Sequence, residues 1–142
     1  MKSQIKIFSV LVLALMLLPG LSSCAAKPAG LSNQQVASVT ENILKAIDKN
    51  NYREFTQDFS EQMKSAFTQE KFTQLRIMLQ SASGNFIYMD TPSISNSQGY
   101  AIYRFPAKYA NETVTVTVTF VIGGEKVEGL FFDSANLRKA SQ

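Results

Sequence analysis

From Thr113 to Ile122 the chain alternates between two kinds of residue, and this stretch most narrows what the sequence can fold into. Val114, Val116, Val118, Phe120 and Ile122 fall on one face, and Thr113, Thr115, Thr117 and Thr119 fall on the other. A period of two over this length specifies a strand with one face buried and one solvated, the habit of antiparallel sheets. Gly123-Gly124 can take up the positive φ of a tight turn, so Lys126 to Phe132 is expected to pair back as a hairpin. Upstream, Asn85 to Met89 reads as a short strand ended by Thr91-Pro92, and Tyr100 to Phe105 as another.

Before Gly84 the period is that of a helix. Ser32 with Gln35 forms a capping-box pair, after which Val36, Val39, Ile43 and Ile47 recur at helical spacing as far as Asn50-Asn51. Tyr52, Phe55, Phe59 and Met63 continue with three- and four-residue spacing, with a break expected near Ser60. Thr68 is a good N-cap for a third helix, flanked by the staple pair Phe67 and Phe72, with Phe72, Leu75, Met78 and Leu79 as its buried face. Gly84 stops it. Helices first and strands afterwards predict an α+β domain over residues 33–142: N-terminal helices on an antiparallel sheet of about four strands.

The first 32 residues read differently. Lys2 and Lys6 precede an uncharged apolar run from Ile7 to Leu18, twelve residues long, and Pro19-Gly20 follows. That length suits the core of a secretory signal and falls short of the ~20 residues a spanning helix needs. Leu21-Ser22-Ser23-Cys24 then resembles the lipobox of bacterial lipoproteins: a branched apolar residue, two small residues and a cysteine. The resemblance implies cleavage between Ser23 and Cys24 and lipid attachment at Cys24. Ordinary signal cleavage at Cys24-Ala25-Ala26 is the alternative. Cys24 is the single cysteine, so no intrachain disulfide forms, and lipidation accounts for a leftover thiol in an exported chain. The expected layout is a signal peptide at 1–23 and a lipidated cysteine with a short tether at 24–32. The protein would be lipid-anchored on the extracytoplasmic side of a cell membrane or outer membrane.

Loss of residues 1–23 removes two of the 14 basic residues, leaving 12 against 11 acidic ones and a formal charge of +1. No basic cluster remains to hold nucleic acid. Histidine is absent, which excludes Ser-His-Asp and Cys-His catalysis and imidazole metal sites. The acids Asp48, Glu54, Asp58, Glu61 and Glu70 are spread along helices at positions expected to be solvated, the glycines form no phosphate-cradling loop, and no Gly-x-Ser-x-Gly occurs. No metal and no cofactor are therefore expected.

Asn51-Tyr52 with Phe59 and Met63, the glycine-led Gly84-Asn85-Phe86, and the hairpin of Val118-Thr119-Phe120, Gly123-Gly124 and Lys126-Val127-Glu128-Gly129-Leu130 resemble the domain-of-unknown-function family numbered 3887. The likeness runs from about Val39 to Asp133, with Asn51 standing where the pattern prefers aspartate. It implies a cystatin-like, nuclear-transport-factor-two-like cone, a curved sheet wrapped around helices with a mouth that can hold a ligand. No catalytic residue carries over.

Two classes of function stay open. One is a non-catalytic accessory or binding module, taking a small apolar ligand in the cone mouth near Phe55, Phe59, Tyr88 and Tyr103. The other is a small isomerase- or lyase-like enzyme that sets a carboxylate, Asp58 or Asp90, against a tyrosine, Tyr88, Tyr100 or Tyr103. The threonine face is either solvated or the contact of a homodimer.

Overall fold

A computed structural model describes residues 30–142. The expected signal peptide, Cys24 and all but the end of the tether lie outside the described residues. The first helix, α1 (Asn33–Asp48), starts at the capping box: Ser32 Oγ accepts the Gln35 N–H, and the Gln35 side chain accepts the Ser32 N–H. It buries Val36, Ile43, Leu44 and Ile47, with Thr40 satisfied internally by donating to the Val36 carbonyl at 2.8 Å. Asn50, at φ 55, turns the chain out of the helix.

The second helical run is broken near Ser60, as its sequence suggests. It consists of α2 (Tyr52–Thr56) and α3 (Glu61–Ala66), capped by Asn51 and Ser60. Asn51 Oδ1 accepts the Glu54 N–H at 3.2 Å, a role aspartate fills equally well, so the departure from the family pattern changes little. Next comes α4 (Gln69–Ala82), capped by Thr68. Gly84, at φ 82, ends it, and a Cβ there would lie 2.8 Å from Ala110 Cβ, so only glycine fits.

Five strands follow, all antiparallel: β1 (Phe86–Met89), β2 (Ser93–Ser97), β3 (Tyr100–Tyr109), β4 (Thr113–Val121) and β5 (Val127–Asp133). The order is β1-β3-β4-β5, with β2 also on β3. Two features depart from expectation. First, β2 is a strand the sequence hides, because Ser-Ile-Ser-Asn-Ser is exposed on both faces and has no apolar period. Second, β3 runs through Pro106 instead of ending at Phe105. Proline lacks a donor and normally halts a central strand. Here Pro106 lies opposite the gap between β1 and β2, where the Asp90 N–H donates to its carbonyl at 2.9 Å.

The helices cover one face of the sheet. Tyr103, Phe105, Ala107 and Tyr109 of β3 and Val114, Val116, Val118 and Phe120 of β4 meet them in the core. Thr113 and Thr115 are exposed and Thr117 and Thr119 half-buried on the far face. Ile122 falls past the end of β4 and is 47% exposed, so the alternation outlasts the strand. A last helix, α5 (Ala135–Ala140), packs Leu137 beside α4 and β5.

Candidate functional site

The four residues expected at the cone mouth separate. Phe55 and Phe59 are sealed in the core, within a cluster that includes Phe67 and Phe72, with Phe55–Phe59 and Phe55–Phe72 centroids 4.9 and 4.8 Å apart. Tyr52 closes the cluster, its ring 5.6 Å from Phe72 and its hydroxyl donating to the Phe67 carbonyl at 2.9 Å. Phe59 is further held where the chain bridges to Val127, the Ser60 N–H donating to the Val127 carbonyl at 3.0 Å. These rings are packing. Tyr88 is paired with Lys108 on the face away from the helices and is 52% exposed.

Tyr103 alone of the four lines an opening. A groove of about 400 Å3 lies between the start of α1, β2, β3 and the β4–β5 turn. Tyr103 and Phe120 meet edge to face at 6.0 Å, and Leu31, Ile94 and Ile122 add aliphatic surface. Asn33, in the first turn of α1, accepts the Tyr103 hydroxyl at Oδ1 over 3.3 Å. The groove exists because the approach to α1 is pinned: a Cβ on Gly30 would lie 2.9 Å from Gly123 Cα and from the Gly124 carbonyl oxygen. That contact sets where the helix begins and leaves a groove beside the start of β3. Its volume falls within the ~300–1,000 Å3 usual for small-molecule sites, and its wall is divided about evenly between polar and apolar surface, where such sites are mostly apolar.

No carboxylate lines this groove among the described residues. Asp90 is exposed at the end of β1, and Asp58 accepts from Gln57 Nε2 at 3.3 Å while its backbone joins β5. Tyr100 lines a separate hollow with Met63, Thr119 and Gly129. The fold does bring one carboxylate near a buried tyrosine, Asp48 and Tyr109, a pair outside the sequence expectation. Asp48 accepts the Phe86 N–H at 3.0 Å, tying the end of α1 to β1. Burial pushes the Asp48 carboxyl up against the pull of that N–H, and burial together with the Asp48 charge pushes the Tyr109 phenol well above its ordinary range. The Tyr109 hydroxyl is sealed with no partner among the described residues. Tyr109 lies in the core and Asp48 at its edge, so the expectation of a solvated Asp48 fails: it follows Leu44 by four residues and borders the buried face of α1.

Glu112, between β3 and β4, has a structural task. It accepts the Ser83 hydroxyl at 2.6 Å, the Ser134 hydroxyl at 2.7 Å and the Asn136 N–H at 3.2 Å, joining the end of α4 to the start of α5. Partial burial raises its carboxyl, but these hydrogen bonds and Lys139 outweigh that and leave it below the ordinary glutamate range.

Among the described residues no group of three or more Cys, Asp or Glu side chains is placed to hold a metal ion, and no helix is long and apolar enough to cross a membrane. No curated protein and no solved structure matches the chain. The resembling segments have structural duties: Asn51 caps, Tyr52 and Phe59 pack, Gly84 turns, and Gly129 lets Thr119 approach to within 3.3 Å of where its Cβ would stand. Residues 40–130 match the family described as "Protein of unknown function (DUF3887)", and the chain belongs to that family.

Proposed function

We propose that this protein is a membrane-anchored extracytoplasmic lipoprotein whose domain is a non-catalytic binding module of cystatin-like architecture, with the Tyr103 groove as its ligand site. The observation that carries the reading is the position of a groove with a mixed polar and apolar wall beside Gly30, six residues after Cys24. Six residues span at most about 20–22 Å, so an acylated Cys24 would keep the groove within that distance of the bilayer. Ile94, 45% exposed on the wall, and Ile122 are surfaces that water covers poorly and a small apolar ligand covers well.

Binding to the native state alone raises the melting temperature with ligand concentration. The full chain titrated with 1-decanol should show that rise, and Ile94→Asp, which places a charge on an exposed wall residue, should remove it while leaving the fold intact. A melting temperature indifferent to decanol in the wild type would end the ligand reading. The anchor is tested separately by feeding cells labelled palmitate, where continued labelling of Cys24→Ser would refute lipidation at that residue.

The far face of the sheet favours one further partner. Phe131 is 63% exposed there, opposite Thr117 on β4, a large ring in a row of small polar residues. A second copy of the chain packed on this face would cover it. Native mass spectrometry reads the dimer and any retained ligand together.

A further inference from the structure

A second hollow, of about 370 Å3, lies apart from the Tyr103 groove, between the α1–α2 turn and α4. Its wall is mostly polar, with Lys49, Asn50 and Asn51 from the turn and Gln69, Thr73 and Arg76 from α4. Arg76 is the unusual member. It is half-buried, and among the described residues it forms no ion pair. Its Nη1 donates to Gln80 Oε1 at 2.9 Å, while its Nε–H is shut off from solvent without an acceptor.

A guanidinium keeps its charge in a protein, so a half-buried one without a carboxylate is costly unless something else answers it. With Nη1 engaged by Gln80 and Nε–H shut off from solvent, Nη2 is the part of the guanidinium left to meet a ligand in the cleft. Its N–H groups donate charge-assisted hydrogen bonds to a carboxylate or phosphate oxygen. Lys49 adds a second positive charge to the wall. Glu54 stands 3.9 Å from its ammonium, but both side chains are largely exposed, so the pair offsets little of that charge. The Asn51 amide is oriented by the Glu54 N–H at its oxygen, which leaves its NH2 as a further donor.

We infer that this cleft binds a small-molecule oxyanion, a carboxylate or phosphate group, with Arg76 as the principal charged donor through Nη2 and Lys49 and Asn51 as supporting donors. The site is independent of the Tyr103 groove and takes an anion, where the groove has aliphatic and aromatic surface and no cationic side chain in its wall among the described residues. A domain with both would hold an apolar molecule at one end and an anion at the other.

The test uses the full chain, titrated with sodium phosphate, with sodium malonate and with sodium chloride at matched ionic strength. The melting temperature should rise with phosphate or malonate beyond the rise in chloride, and the stronger of the two identifies the group preferred. Arg76→Gln keeps the side-chain length and removes the charge, and should weaken binding about ten- to a hundredfold, the scale of a charged hydrogen bond. Lys49→Glu, at an exposed position, should weaken it severalfold and leave the fold untouched. Equal responses to all three salts would overturn the site, as would undiminished affinity in both variants. Should Arg76→Gln fail to fold, Lys49→Glu decides alone, and undiminished affinity there overturns the proposal.

Discussion

The space between the helices and the sheet ends in two ways. At one end Phe55, Phe59, Phe67 and Phe72 fill it ring against ring, and at the other Tyr103 and Phe120 border a groove. Both ends are aromatic, so aromatic content does not separate a packed end from an open one. What separates them is chain path. At the sealed end α2, α3 and the Phe59–Val127 bridge fold over the rings. At the open end the Gly30 contact with Gly123 and Gly124 fixes the approach to α1, and among the described residues the first turn of α1, at Asn33 and Val36, borders the start of β3 without closing the groove.

The sharpest way to break this comparison is to truncate one ring at the sealed end. Phe59→Ala leaves a void among rings that cannot collapse around it, and should destabilise the domain by about 3–5 kcal/mol. Ile122→Ala, at the exposed rim, should cost less than about 1 kcal/mol. Denaturant melts of the two variants give both values. Similar losses would mean that the two ends are packed alike and that the groove closes in solution.

How far these features were legible in the sequence follows the same division. The α1 cap, the Ser60 break, the Gly84 stop and the register of β4 all rest on local chemistry, and each stands where periodicity and caps put it. β2 escaped because a strand exposed on both faces has no apolar period to read. β3 was cut short because proline's missing donor matters only where a neighbouring strand needs it, which is a tertiary fact. The site residues divided for a related reason. Helical spacing puts Phe55 and Phe59 on an inward face, but whether inward means filled or open depends on elements more than sixty residues away in sequence, such as Val127. Asp48 reads from the sequence as a solvated helix charge, and only the fold shows it half-buried and holding the Phe86 N–H.

A smaller effect is expected at Glu112, which belongs to neither end. It clasps α4 to α5 through the buried Ser83 and Ser134. Its folded carboxyl lies below the ordinary range, so the unfolded chain takes up the proton first as pH falls. Its contribution is therefore complete above the ordinary glutamate range and is lost as pH drops through the lower folded value. Glu112→Gln should cost about 1 kcal/mol at neutral pH, after allowance for partial exposure, and should flatten the acid limb of the stability curve. Asp48 works in the opposite sense, since its raised carboxyl favours the folded state as acid is added. An acid limb unchanged by Glu112→Gln would show that the clasp carries no net free energy.

The smallest effect tests the open end itself. Tyr103→Phe removes only the hydroxyl that reaches Asn33 Oδ1 over 3.3 Å, a long hydrogen bond at the edge of the groove. The ring, its edge-to-face contact with Phe120 and the groove's volume are all kept. Stability should therefore fall by about 0.5–1 kcal/mol at most. If the groove takes a ligand with one polar end, the hydroxyl and Asn33 are the groups that would orient it, and they matter only to a ligand with something to orient. The variant should then bind 1-decanol severalfold more weakly and butylbenzene, which has no polar end, as well as the wild type does. Equal losses for both would mean that the hydroxyl shapes the groove and does not read the ligand. Unchanged affinity for both would place the polar end of the ligand elsewhere on the wall, where Asn96 is the remaining amide.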